Sequence, residues 1–297
     1  MNNFFQELAK KLAERWVTLL LVPGALLAAT TWAGIQLGHT LDIARLTQAS
    51  SAVTTSVARQ PAGVQAMLIA ALLLVTTGLG LVVQALAPVT RLIWLGQWPF
   101  LGRWRVARRR TRWQRHIDRR RQLTHGHPDG SRTPEQQHLI DTAADRANRI
   151  ALAQPGRPTW MGDRIHAVER IAQDRYGLDL TFAWPRLWLV LPDNTRTELN
   201  AAHTAFAAAV ATGTWAWPYL LLGVICWPAA LAWAGIGATG WVRARSAVTD
   251  LTALSEAALD LHTRTLAVAL GVGNPDTASP ITIAEGKKIT SLVRKGR

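Results

Sequence analysis

The sequence predicts an all-α integral membrane protein, with four transmembrane helices in two hairpins and a small helical cytoplasmic domain. One observation is that Asp, Glu, Lys and Arg are absent from Trp16–Gly38, Pro61–Thr90 and Leu199–Val242. A helix rises about 1.5 Å per residue and the hydrocarbon core is about 30 Å thick, so one span needs about 20 apolar residues. The third stretch is long enough for two spans. The other observation is a formal charge of +14, concentrated between these stretches.

The predicted boundaries follow from this segregation of charge. They are an amphipathic interfacial helix at 1–15, a first span at 16–38, an external loop at 39–63, a second span at 64–90, an aromatic collar with an arginine-rich juxtamembrane helix at 91–123, a cytoplasmic helical module at 124–198, a hairpin of spans three and four at 199–242, a cytoplasmic helix at 243–271 and a basic tail at 272–297. The tail is expected to be flexible.

Sequence signals also predict the fate of the first span and the bounds of the hairpin. The first apolar run exceeds the roughly 7–15 residues of a secretory signal core, so it predicts a retained anchor. The hairpin is expected to fold back near Trp215–Pro218, because tryptophans favour the headgroup level and proline interrupts a helix. Thr195 and Glu198 have capping-box spacing and predict the start of span three.

The most basic stretch lies between Arg103 and Arg121, where ten arginines face one acid. Spacings of three and four place several of them on one side of a helix. Such a stripe beside a span predicts binding to anionic lipid headgroups, worth on the order of 1 kcal/mol per residue. Nucleic acid is the disfavoured partner, since few aromatic side chains are interleaved. The stripe consists of Arg105, Arg108, Arg112, Arg115 and Arg119.

Charge also predicts orientation. Residues 91–198 carry 20 arginines against 11 acids, whereas the loop at 39–63 carries two arginines and one acid. The positive-inside rule therefore puts the long segment and both termini in the cytoplasm, and the protein in a bacterial cytoplasmic membrane. Four acids of this segment each have an arginine within four residues, which predicts paired surface charge. They are Asp163, Glu169, Asp174 and Asp179.

Span three carries small residues at steps of four. Lipid is as apolar as leucine, so helices associate in a bilayer through close packing, which small residues permit. This face predicts contact with span four or with another copy, and we expect a homo-oligomer. The face consists of Ala201, Ala205, Ala209 and Gly213.

Two motifs have structural interpretations. Gly235–Gly240 matches G-x-G-x-x-G, but it lies in a predicted span without a preceding strand, so helix packing is favoured. His125, His127 and Asp129 are possible metal ligands in a Gly/Pro turn, where a solvated turn is favoured. A single cysteine, Cys226, permits no intrachain disulfide. We predict no catalytic residue, no metal and no cofactor.

Part of the chain resembles a known group of proteins. Tyr176–Asp179, Trp184–Leu187 and Leu191–Pro192, followed by a hairpin and a helix ending in Leu261–His262, are similar to a pattern in uncharacterised bacterial multi-pass membrane proteins. The resemblance covers about 163–271. It implies four spans with a cytoplasmic insert and implies no activity.

These observations favour a non-enzymatic membrane protein whose cytoplasmic module docks or senses a protein partner and whose spans self-associate, as a membrane effector of a larger cytoplasmic system. The alternative is a channel or transporter subunit, although intramembrane charge is missing. A membrane enzyme comes third. A channel would need a polar path built from Gln36, Thr76, Thr77, Gln84, Thr212 and Thr214.

Overall fold

The structure is a computed structural model, and it describes residues 17–38, 42–98, 102–127, 132–277 and 279–294. The predicted interfacial helix at 1–15 lies outside these ranges. The described residues contain helices and no strand, which confirms the all-helical prediction. After a π-helical turn at Val17–Leu21, the helices are α1 Val22–Leu37, α2 Ile43–Ala58, α3 Ala62–Ala85, α4 Ala87–Trp94, α5 Gly102–Gly126, α6 Pro134–Ile150, α7 Trp160–Tyr176, α8 Leu180–Val190, α9 Asp193–Thr214, α10 Ala216–Leu222, α11 Trp227–Ala269 and α12 Ile283–Arg294.

The chain forms two compact units. The first combines the residues up to Thr90 with Ala207–Arg243, and the second combines Arg91–Phe206 with Ala244–Arg297.

Glycines bring the helices of the first unit together. A Cβ atom on Gly24 of α1 would lie 2.1 Å from the carbonyl oxygen of Thr76 in α3. A Cβ atom on Gly80 of α3 would lie 2.8 Å from the carbonyl oxygen of Leu20. The two contacts run in opposite directions along the chain, so the π-helical turn and α1 pack antiparallel to α3 with their backbones almost touching.

The same device joins α9 and α10 to α11. A Cβ atom on Gly240 would lie 2.7 Å from the Cα atom of Gly213, and one on Gly223 would lie 3.2 Å from the side chain of Ala230. These pairs define an antiparallel hairpin whose turn lies at 223–226. The predicted fold-back near Trp215–Pro218 is therefore misplaced. Pro218 is the third residue of α10, within the first turn, where the missing amide donor would have no helical partner, so it does not end the hairpin arm.

Three predicted boundaries differ from those of the structure. Helix α9 begins at Asp193, before Thr195, and the amide of Thr195 donates to the side chain of Asn194 at 2.8 Å. Helix α11 runs unbroken through the predicted boundary at 242, because nothing in Trp241–Ala244 interrupts its hydrogen-bond ladder. The predicted loop at 39–63 contains α2, whose cap residue Asp42 accepts from the amide of Arg45 at 3.1 Å.

The second unit has a conventional apolar core. Helices α7 and α8 meet the later part of α11 there, and Leu178, Leu187, Leu259 and Leu266 are each at most 1% exposed. The apolar stretch at 184–192 forms most of α8, which places Ala183 and Leu187 in this core.

The end of the chain contradicts the expectation of a flexible tail. Helix α12 begins with a capping box, in which Glu285 accepts from the amide of Thr282 at 2.7 Å and donates its own amide to the Thr282 hydroxyl at 3.2 Å. Ile289 and Val293, one turn apart, are buried in the same core as α8. Thr-x-x-Glu followed by spaced apolar residues predicts a helix start. The prediction of a flexible tail considered its basic charge and overlooked this signal.

Candidate functional site

The arginine stripe lies on one uninterrupted helix. Helix α5 carries Arg105, Arg108, Arg112, Arg115 and Arg119, and all five side chains are exposed. At 100° per residue, the spacings of three and four keep them within an arc of about 80°. The stripe therefore forms one continuous cationic face about four turns long.

Two tryptophans lie at the N-terminal end of this face. The guanidinium of Arg105 lies 5.5 Å from the ring centre of Trp98, and that of Arg108 lies 5.6 Å from Trp104. Trp104 is 67% exposed. Arginine over an exposed indole combines a charge for headgroups with an apolar ring for the acyl boundary.

The other side of α5 packs on α6, which places the stripe outward. Trp113 donates from Nε1 to the carbonyl oxygen of Ala151 at 2.9 Å. Helix α6 begins at the capping box of Thr133 and Gln136, and a buried row of apolar residues runs along it. That row consists of Ile140, Ala143 and Ala147.

A buried ion pair locks this packing. The guanidinium of Arg109 contacts Asp163 Oδ2 at 2.7 Å and donates to the carbonyl oxygen of Ile150 at 2.7 Å. The second oxygen, Oδ1, accepts from the amides of Gly156 and Arg157 at 2.8 and 2.7 Å. Asp163 is 3% exposed, so its prediction as surface charge is wrong, and its partner lies 54 residues earlier in the chain.

A cationic cleft of about 550 Å³ opens between α5 and the end of α6. Two of its arginines, Arg112 and Arg115, belong to the stripe, and Arg149 comes from α6. Sequence reasoning missed Arg149, because only the antiparallel pairing of α5 and α6 brings it beside the stripe, and it also missed His116, which lies next to Arg115 on α5 itself. The lining residues are Arg109, Arg112, Arg115, His116, Arg149 and Ile150.

The small-residue face of α9 divides into two pairs. Ala209 and Gly213 are buried, and Gly213 contacts Gly240 of α11. Ala201 and Ala205 are exposed, while Ala202 and Phe206 are buried. Steps of four advance 400°, so a four-residue stripe drifts by about 40° per step and leaves the buried side.

The two other motifs contribute packing and a turn. Within Gly235–Gly240, a Cβ atom on Gly237 would lie 3.7 Å from Ala216, whereas Gly235 faces open space. His127 Nδ1 lies 3.0 Å from the carbonyl oxygen of Leu123, and Asp129 lies outside the described residues. In the described part of the chain, no three His, Cys, Asp or Glu side chains are grouped as metal ligands.

Four threonines of the predicted polar path donate hydrogen bonds to carbonyl oxygens of their own helices, namely Thr76, Thr77, Thr212 and Thr214. Thr76 and Thr77 both donate to the carbonyl oxygen of Leu73, at 3.1 and 2.7 Å. The hydroxyl oxygens of Thr90 and Thr214 lie 3.0 Å apart, and Trp217 Nε1 donates to Thr90 at 3.0 Å. This last cluster ties α4 to α9 and α10.

A polar cluster joins α7 to α11 in the second unit. Tyr176 donates to Asp260, which Arg175 also contacts at 3.2 Å. Burial raises the pKa of the Tyr176 hydroxyl, and its hydrogen bond to Asp260 raises it further. Burial likewise raises the pKa of Glu256, against the attraction of Arg164. Oε1 of Glu256 and Nε of Arg164 are both buried without a hydrogen-bond partner.

Two helical segments of the described chain are long and apolar enough to cross a membrane, Ala62–Trp94 and Asp193–Leu222. Comparison with protein-family models, with curated proteins and with solved structures finds no match.

Proposed function

We propose that the chain is a four-span protein of a bacterial cytoplasmic membrane that holds a helical module on anionic lipid. The four spans are the π-helical turn with α1, α3 with α4, the apolar part of α9 with α10, and the apolar part of α11. The module is the second unit, with the arginine stripe facing the headgroups. Its function is non-enzymatic: it docks or senses a cytoplasmic protein, while the spans self-associate.

The observation that carries this proposal is the inverted burial of α3. Its buried side consists of Thr76, Gly80 and Val83. Only 17% of the most apolar stretch within Ala62–Trp94 is buried. Large apolar side chains point outward, with Leu74 75% exposed. A water-soluble helix buries its large apolar side chains, since each is worth about 1.5–3 kcal/mol. Lipid removes that requirement, and a small buried face is typical of helices that pack in a bilayer.

The stripe supports the orientation. Trp94 ends the candidate span and the stripe begins eleven residues later, at Arg105, so the arginines lie in sequence within the roughly 15–20 residues of a span end over which the positive-inside rule counts charge. Their exposure leaves them able to reach phosphate oxygens, which the arginine fork binds in pairs. The stripe thus has both the charge and the closeness in sequence to a span that the positive-inside rule requires, and this supports a cytoplasmic location.

A channel or transporter subunit is the second candidate. Gln84 and Thr212, both on its expected polar path, line one cleft of about 380 Å³ in the first unit. The hydroxyl of Thr212, however, is hydrogen-bonded to the carbonyl oxygen of Ala208 at 3.0 Å. Because the threonine hydroxyls are occupied in this way, anchoring and docking are the better supported function.

Reporter fusions test the four-span topology. Fusions after Ser131 and after Gly273 should both report the cytoplasm, since four spans return the chain to its starting side. A matched fusion in α2, after Thr54, should report the outside. An external signal after Gly273 would mean that 199–242 crosses the membrane an odd number of times, and the four-span proposal would be rejected.

A further inference from the structure

The cationic cleft between α5 and α6 is more specific than a basic surface. The charge of Arg109 is neutralised by its ion pair with Asp163, and the same guanidinium donates to the carbonyl oxygen of Ile150. Arg112, Arg115 and Arg149 form no ion pair with a described residue, and no carboxylate lines the cleft. Three arginine side chains thus line one cleft that no carboxylate lines.

The apolar packing of the helix pair, and not the arginines themselves, fixes this arrangement. Ala147 is fully buried one turn before the end of α6, and Trp113 binds the carbonyl oxygen of Ala151 directly after it. These contacts hold the end of α6, which carries Arg149, against α5, so that Arg149 lines the same cleft as Arg112. Like charges held on two packed helices gain from binding an anion, because the anion removes the repulsion between them.

We propose that this cleft binds a phosphate group carrying two or more negative charges, as a phosphomonoester or a polyphosphate. Guanidinium forks match phosphate oxygens in pairs. A volume of about 550 Å³ falls in the range of small-molecule sites. No Phe, Tyr or Trp is among the described residues that line the cleft, so the small imidazole of His116 is its one aromatic ring for stacking a base. The phosphate belongs either to a lipid headgroup or to a soluble molecule.

This inference rests on the proposed membrane-surface function only through Arg112 and Arg115, which the cleft shares with the stripe. Arg149 belongs to the cleft alone, and its exposed neighbour Arg146 lies outside it on the same helix. The pair therefore provides a substitution and a control with equal loss of charge.

The test uses the full chain in phosphatidylcholine nanodiscs, titrated with tripolyphosphate by calorimetry near physiological salt. We expect one saturable site per chain. R149Q should weaken binding roughly tenfold or more, as the loss of a charge-assisted contact predicts. R112Q should do the same, and R146Q should change affinity less than about twofold. The absence of saturable binding, or equal losses in R149Q and R146Q, would overturn the proposal.

A second arm identifies the source of the phosphate. Nanodiscs with phosphatidic acid or phosphatidylglycerol are compared at equal surface charge. If the ligand is a lipid phosphomonoester, phosphatidic acid should compete with tripolyphosphate more strongly than phosphatidylglycerol does; equal competition would support a soluble ligand. A single-stranded oligonucleotide that binds more tightly than tripolyphosphate, with unchanged affinity in R149Q, would overturn the proposal.

A third arm separates this site from the stripe. Trypsin cleaves after arginine, so phosphatidylglycerol should slow cleavage within α5 in the wild type if the stripe lies on lipid. R105Q with R119Q should remove this protection and leave tripolyphosphate binding intact. Missing protection with intact tripolyphosphate binding would reject the lipid-bound stripe and support the cleft. Protection without saturable binding would reject only the cleft.

Discussion

At the scale of single residues, two glutamates of the second unit have opposite environments. Glu285 accepts from the amide of Thr282 and pairs with Arg264 at 2.7 Å, and these contacts lower its pKa to about 2. Glu256 has one buried carboxylate oxygen without a hydrogen-bond partner, and burial raises its pKa. The fold therefore favours the ionised form of Glu285 and disfavours the ionised form of Glu256.

The substitution E285Q tests the stabilised carboxylate. A lowered pKa gives a stabilisation that is present above the ordinary value of 4.5 and lost as the pH falls toward 2. E285Q should lower the unfolding temperature in detergent by about 2–4 °C at neutral pH. The difference from wild type should shrink as the pH falls through that window. An unchanged difference at low pH would show that Glu285 acts through packing.

Glu256 provides the contrast. Since its pKa is raised, the folded state disfavours the ionised form above that pKa. E256Q should therefore raise the unfolding temperature at neutral pH, and the gain should vanish in acid. A loss of stability at neutral pH would mean that attraction to Arg164 outweighs the cost of burial.

At the scale of elements, glycines decide how closely the helices of the first unit approach. Gly240 lies against the backbone of Gly213, while Gly235 on the same helix faces open space. The sequence analysis assigned the whole G-x-G-x-x-G motif to helix packing. Periodicity alone could not show which of its three glycines contacts a neighbouring helix. Only the position of the partner helix shows which of them a larger side chain would disturb.

The pair G240L and G235L tests this difference within one helix. Leucine keeps both variants apolar enough to insert. At Gly240 its Cβ atom would meet Gly213 at 2.7 Å, and overpacking of this kind costs about 1–3 kcal/mol. We expect G240L to lose thermal stability in detergent and G235L to match or exceed wild type. Equal stability of the two variants would contradict the close hairpin of α9 and α11.

At the scale of the whole molecule, some small residues of α9 are buried within the chain and others are exposed and free to contact another copy. Ala209 and Gly213 are buried within the chain, whereas Ala201 and Ala205 are exposed. The sequence analysis predicted that these four residues form one face, because residues four apart lie close together on a helix. Self-association stays a prediction, and the outward pair is where it should be tested.

The double substitution A201L with A205L tests self-association, with A209L as its counterpart. If the outward alanines join two copies, the double variant should insert normally and lose cross-linked oligomers, because leucine keeps the partner backbone away. A209L should keep the oligomers and lose thermal stability through strain against α11. Oligomers that persist in the double variant would remove the main support for self-association through this face.

The sequence by itself determined the helical class, the uncharged stretches and the arginine stripe of α5. Each depends on a local property: residue spacing sets which side chains share a face, and charge sets which segments can enter lipid. The capping box of Thr133 and the helix stop at Gly177, with φ of 67°, were predictable for the same reason. Only a helical turn or two of chain is needed to define such features.

Tertiary structure alone decided which distant residues meet. The ion pair of Arg109 with Asp163 and the place of Arg149 beside the stripe both depend on the register of α5 against α6 and the loop before α7. The turn at 223–226 and the docking of α12 depend in the same way on the partner surface. Register is set by how small and large side chains interlock between helices, and no local pattern in one helix specifies the other.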